Sequence, residues 1–346
     1  MKLSRLLVAL MISQLFISCT SDDSNPAPLG SYDNGVLVLN EGGFGEITYL
    51  SNDLQTVQND VFAAVNGETE NLGTYAQSMF FNGDRAYIIS NGSNKITVVN
   101  RYSMEYIATI ATGMQIPRYG VVYNGKAYIT NMNDYASSTD DFVTVINLAD
   151  FTVETPIAIH NIAERLVAYD GRLYVSGGAF GMGDTITVVD IQSKTIEDTI
   201  TVGVSPNSLE EKNGTLYVLC GSFSAESKLV KINLATNAII DTVPFPATMG
   251  NAQNLDIEGN SVYFSVGPKV YKNDVNLDAV IDEPLFAAPS TSAYIGYGFG
   301  VNADRIFLTE AAEDFTSFGK VFVYSINGTY LDDLQTGLGP NGVYFN

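Results

Sequence analysis

The sequence predicts an all-β fold, and within that class a seven-bladed β-propeller built of four-stranded antiparallel blades. Three observations predict it. An eight-residue phrase, NGKAYITN at 124–131, returns as DGRLYVSG at 170–177 and as NGTLYVLC at 213–220. Aligned on its aromatic residue, the phrase recurs at Tyr87, Tyr128, Tyr174, Tyr217, Tyr263 and Phe307, with spacings of 41, 46, 43, 46 and 44 residues. The composition, 46% hydrophobic and rich in Gly, Tyr, Val, Ile and Thr, supplies a sizeable core and favours strands joined by tight turns. A period of about 40–45 residues with four strands per unit is the mark of propeller blades.

The front of the chain reads as an address. Residues 1–18 carry a basic start (Lys2, Arg5) and an apolar run from Leu6 to Ile17 that is too short to span a bilayer as a helix. The run ends in FISC, which resembles a lipoprotein cleavage site and makes Cys19 the expected lipidated residue. An ordinary secretory signal cleaved near Ser18 is the alternative. Residues 19–29 then form a tether; Ser21, Asp22 and Asp23 resemble the acidic export signal of lipoproteins on the outer face of the outer membrane in Bacteroidetes-type bacteria. The expected location is the outer membrane, facing the exterior, with the lipid anchor as the one membrane contact.

The propeller is assigned to residues 30–346. In the third blade, RYGVVY (118–123) is a first strand, Asn124-Gly125 is a two-residue type I′ turn, and KAYIT (126–130) is the second strand. FVTVIN (142–147) is the third strand and TVETPIAI (152–159) the fourth. Third strands recur as ITVVN (96–100), ITVVD (186–190), KLVKIN (228–233) and VFVYSI (321–326), near-continuous apolar runs that suit sheets covered on both faces. A copy at the front, NGVLVLN (34–40), puts Val38 at the anchor but has no first strand before it. The end of the chain, GPNGVYFN (339–346), matches the missing strand. Residues 340–346 are therefore expected to close the ring and remove an exposed sheet edge.

First and second strands run in opposite directions, so the start of each first strand meets the loop after each second strand on one face. The seven units place Gln77, Arg118, Glu164, Asn207, Gln253, Tyr297 and Asn341 at one equivalent position of the channel mouth. Ser78, Tyr119, Arg165, Ser208, Asn254, Gly298 and Gly342 follow at the next. The facing loops are rich in glycine and aromatics, and put Phe44, Tyr135, Phe180, Phe223, Phe315 and Phe318 around a polar mouth. Apolar walls with a few convergent polar groups suit a small-molecule site. The same polar ring could simply hold water, and the aromatics could wedge blades together.

Several chemistries are disfavoured. With 17 Lys plus Arg against 38 Asp plus Glu, the net charge is −21, which repels nucleic acid. His160 is the single histidine and falls in a linker between blades. No nucleophile elbow, phosphate loop or metal-type cysteine spacing occurs, so neither a metal nor a cofactor is expected. Glu164 beside Arg165 reads as a neutralised ion pair rather than an acid/base pair. Asp274, Asn276 and Asp278 open like a calcium loop, but Ala279 and Leu285 stand where that loop needs glycine and glutamate, so a turn is expected. Cys220, in an apolar strand, is expected in the core.

YITN…VTVIN, YVSG…ITVVD and YIIS…ITVVN resemble the propeller repeats named for their YVTN phrase. With the leader, the chain is similar to surface propeller lipoproteins of Bacteroidetes of the DUF5074 type. That resemblance implies capture of a small nutrient, with a corrinoid such as vitamin B12 as first candidate, and transfer to an outer-membrane TonB-dependent transporter. No binding residue carries over, because the shared motifs are structural. Two other readings stand beside it: a non-catalytic scaffold for protein or glycan adhesion, and a propeller enzyme of lyase, lactonase or dehydrogenase type, which one histidine disfavours.

Overall fold

The computed structural model describes residues 28–67 and 70–346, so the leader, Cys19 and nearly all of the tether lie outside the described residues. The described residues form seven four-stranded antiparallel sheets, with one short helix among them, Val61–Asn66, between the first two blades. Five blades take their strands in simple sequence order outward from the channel, and the third does the same, with strands Pro117–Tyr123, Lys126–Asn131, Phe142–Asn147 and Ile157–Ala158. The first blade is composite. Its innermost strand is Pro340–Phe345, antiparallel to Gly35–Asn40, with Val38 opposite Val343.

That closure is clasped from the neighbouring blade. The Arg101 guanidinium donates to the Phe345 carbonyl at 2.7 Å and to Asn346 Oδ1 at 2.8 Å, and it lies 3.6 Å from the centre of the Phe81 ring. Asn346 in turn donates to the carbonyls of Tyr32 and Arg101.

The core lies between blades rather than inside any one of them. Tyr87, Ile89, Ile96 and Val98 of the second blade pack against Ala127, Ile129 and Ile146 of the third. The anchor aromatics Tyr87, Tyr174, Tyr263 and Phe307 are among the largest fully buried side chains. Each such ring contributes about 1.5–3 kcal/mol by burial. Tyr174 also reaches into the fifth blade, where its hydroxyl donates to the Leu234 carbonyl at 2.8 Å. Cys220 is buried in the same interblade layer, where desolvation pushes its thiol up to about 12.

The turns follow their chemistry. Asn124 and Gly125 have φ of 47° and 74°, the double positive φ of a type I′ turn. The fourth strand of the third blade is a correction to 152–159: only Ile157–Ala158 forms a strand, with an isolated bridge from Ile146 to Val153. Pro156 interrupts the run because it has no N–H to give the ladder. At Asp274 the structure forms a turn in which the carboxylate accepts the Asn276 N–H at 2.8 Å.

Candidate functional site

The innermost strands begin irregularly, and this builds the mouth. A register shift falls at the start of the first strand in the second, third, fifth, sixth and seventh blades, and at the matching end of the closing strand in the first. The fourth blade's strand instead starts late, at Leu166. Bulges re-aim side chains and often flank functional sites. Here they free the residues that the repeat alignment places at the mouth.

Hydroxyls two residues past the repeat aromatic hold these irregular segments. The backbone N–H of Tyr119 donates to Thr130 Oγ1 at 3.0 Å, that of Arg165 to Ser176 Oγ at 3.0 Å, and that of Gly298 to Thr309 Oγ1 at 2.6 Å. In the sixth blade Ser265 Oγ accepts from the Asn254 amide at 2.9 Å. Sequence reasoning missed these four residues, although the signal was present as a Thr or Ser at the third letter of YIT, YVS, YFS and FLT.

The charged groups pair across blades. Arg118 and Glu164 form a buried bidentate pair, with Nε to Oε2 at 2.9 Å and Nη2 to Oε1 at 2.7 Å. This corrects the expected Glu164–Arg165 pair: the strand-start geometry turns Glu164 toward the preceding blade. Burial alone would pull the Arg118 guanidinium down, but the Glu164 charge and hydrogen bonds more than offset it and hold it above its ordinary value. Arg118 Nη1 also donates to Gln77 Oε1 at 2.5 Å, and Gln77 Nε2 donates to the Tyr119 hydroxyl at 3.2 Å. Arg165 lies over the Tyr119 ring, 4.3 Å from its centroid.

Adjoining concavities open on this face. The largest, about 620 Å³, is lined by Tyr119, Glu164, Arg165, Asn207 and Gln253, with Phe180 and Phe223 from the loops. A second of about 400 Å³ shares Tyr119, Arg165 and Phe180 and adds Gln77, Arg118, Tyr135, Tyr297 and Asn341. A third of about 250 Å³ runs down the channel past Asn254 to Glu210 and Asp256. Phe180 and Phe223 are 68% and 96% exposed, so both rings stand open to a ligand. Phe44 and Phe318 are exposed but do not line these concavities. Phe315 turns inward and packs edge-on against Tyr294 and Tyr297.

Below the mouth two partly buried carboxyls line the channel. Burial and the neighbouring Asp256 charge push Glu210 up to about 8, and burial pushes Asp256 up to about 6. Asp256 accepts the Val301 N–H at 2.7 Å. Burial and a hydrogen bond to the Glu41 carboxylate hold the Tyr297 phenol above its ordinary value. Among the described residues no group of three or more His, Cys, Asp or Glu is arranged to hold a metal ion. His160, exposed, lies in the linker after the third blade and away from these concavities.

The sequence model of a domain of unknown function, DUF5074, matches residues 34–336. The chain belongs to the DUF5074 family. No curated protein matches the sequence. Among solved structures, this DUF5074 propeller is similar to a hypothetical selenium-binding protein from Sulfolobus tokodaii, at 10% identity over 90% of this chain and 93% of that one, with a TM-score of 0.65. It is also similar to the hydrazine synthase of Kuenenia stuttgartiensis, at 13% identity over 75% and 86%, with a TM-score of 0.62. The computationally designed Ika8 protein matches at 10% identity over 90% and 87%, with a TM-score of 0.59. At such identities the likeness concerns the fold alone.

Proposed function

We propose that the DUF5074 propeller is a non-catalytic capture protein that binds a small molecule at the loop-rich mouth of its channel. One observation carries this reading: a concavity of about 620 Å³ has aromatic walls, Phe180 and Phe223, and a floor of fixed polar groups, Tyr119, Arg165 and Asn207. Small-molecule sites commonly fall in that volume range and have that mix of lining. A non-catalytic role is supported by how the acid lining that concavity is used, since Arg118 occupies both oxygens of Glu164.

The finer reading follows from the resemblance of repeats and leader. The ligand is a corrinoid as first candidate, the protein is held at the outer surface of the outer membrane through Cys19, and a TonB-dependent transporter receives the ligand. Equilibrium dialysis of the purified protein against cyanocobalamin, with its visible spectrum followed, tests the ligand. Retention with a spectral shift is expected; free passage with an unchanged spectrum overturns the corrinoid assignment. The 96% exposure of Phe223 favours a second reading, a protein- or glycan-binding face. Under it, no small molecule is retained at the mouth, and Phe223→Ala would weaken capture of a protein or glycan instead.

A further inference from the structure

Arg165 is the one residue common to the three concavities described above and to a fourth beside them, of about 380 Å³, between Asn207, Phe223 and Tyr294. Its situation differs from that of Arg118. No carboxylate among the described residues lies within ion-pair distance of it, and its guanidinium donates no hydrogen bond to them. Glu210, deeper in the channel, feels its charge without being bonded to it. The guanidinium is instead presented on the Tyr119 ring at 4.3 Å.

That presentation is fixed from behind. The Tyr119 hydroxyl is held by Gln77, and Gln77 Oε1 is held by Arg118 and by Asn91 Nδ2 at 3.0 Å. The backbone of Arg165 is tied to both sides of Ser176, through the Ser176 hydroxyl and the Ser176 N–H at 2.8 Å. A planar fork of unfilled N–H donors on a rigid aromatic plate matches a carboxylate or phosphate bidentately, and a partly desolvated setting strengthens the match. Phe180 and Phe223 flank the same space with open rings, which suit a flat conjugated body.

We propose that Arg165 anchors an oxyanion subsite, so that the mouth selects ligands joining a flat conjugated body to a carboxylate or phosphate. This rests on the capture reading and narrows its ligand class.

The test uses matched pairs that differ only in the acidic group: flavin mononucleotide against riboflavin, and 2-naphthoate against 2-naphthylmethanol. Binding to the purified protein is followed by ligand-observed NMR titration. The acidic member of at least one pair is expected to bind about tenfold tighter than its neutral twin. In Arg165→Gln that ratio is expected to fall to about one, since the fork is gone. Arg165→Met, which keeps the stem on Tyr119, provides the same readout should the glutamine variant fold poorly. A preference confined to the flavin pair assigns a phosphate site, and one confined to the naphthyl pair a carboxylate site. A ratio near one in the unaltered protein, or a ratio that survives both substitutions, overturns the proposal. If neutral twins bind but acids bind no tighter, or if no member binds at all, the anchor falls, and the capture reading is decided separately by the cyanocobalamin dialysis.

Discussion

The guanidinium of Arg118 and the carboxylate of Glu164 are buried together, and their value is clearest when one is removed. Glu164→Gln leaves a buried charge with half its partner. It should lower stability by about 3–5 kcal/mol, read from the midpoint of a urea titration. Arg118→Met with Glu164→Leu should recover most of that loss, because a packed apolar pair needs no compensation. Glu210 gives a pH signature. Its folded value of about 8 lies above the ordinary 4.5, so the folded state holds a proton that the unfolded chain has released. Stability therefore falls as pH rises from about 4.5 to about 8, and Glu210→Gln should flatten that fall in thermal unfolding followed across the range. The change is up to a few kcal/mol, reduced by water-sized space in the channel around the carboxyl. At this scale the sequence showed which residues crowd the mouth, since equal positions in a repeat fall on one ring. It did not show that Glu164 turns to Arg118, 46 positions earlier, because partner choice depends on where each first strand begins and breaks register, which no letter marks.

Strands and turns were the most legible features. FVTVIN is a strand at its expected bounds, Phe142–Asn147, because its apolar run is buried by both neighbouring blades. The Asn-Gly turn likewise needed only its two letters, and it can be tested alone. Gly125 has φ of 74° and open space where a Cβ would stand, so Gly125→Val acts through the backbone alone. It should cost about 1–2 kcal/mol, measured by chemical denaturation, without altering the folded spectrum. Outer strands were less legible. TVETPIAI shrank to Ile157–Ala158 because an outermost strand has one hydrogen-bonding neighbour and a proline suffices to break it. The hydroxyl clamps at Thr130, Ser176, Ser265 and Thr309 were written in the repeat phrase. They read there as ordinary strand residues, and only the irregular strand starts opposite them give those hydroxyls work.

Over the whole molecule, the repeat period decided the architecture and the mismatched ends decided its closure. The strand Pro340–Phe345 covers the inner edge of Gly35–Asn40, and Arg101 fastens it from the next blade. Truncation after residue 339 should expose that edge. Size-exclusion chromatography should then show aggregation, and calorimetry a broadened, lower transition; a compact monomer with an unchanged transition would contradict the closure argument. What the period could not supply is the ligand, because the loops that vary between copies are the ones that line the mouth. Capture at that mouth is the central claim, and native mass spectrometry of the protein recovered from its own cells tests it most directly. We expect a non-covalent small-molecule adduct, released on denaturation and lost when Phe180 and Phe223 are both replaced by alanine. A protein carrying no non-covalent adduct, or an adduct indifferent to those two substitutions, would contradict it.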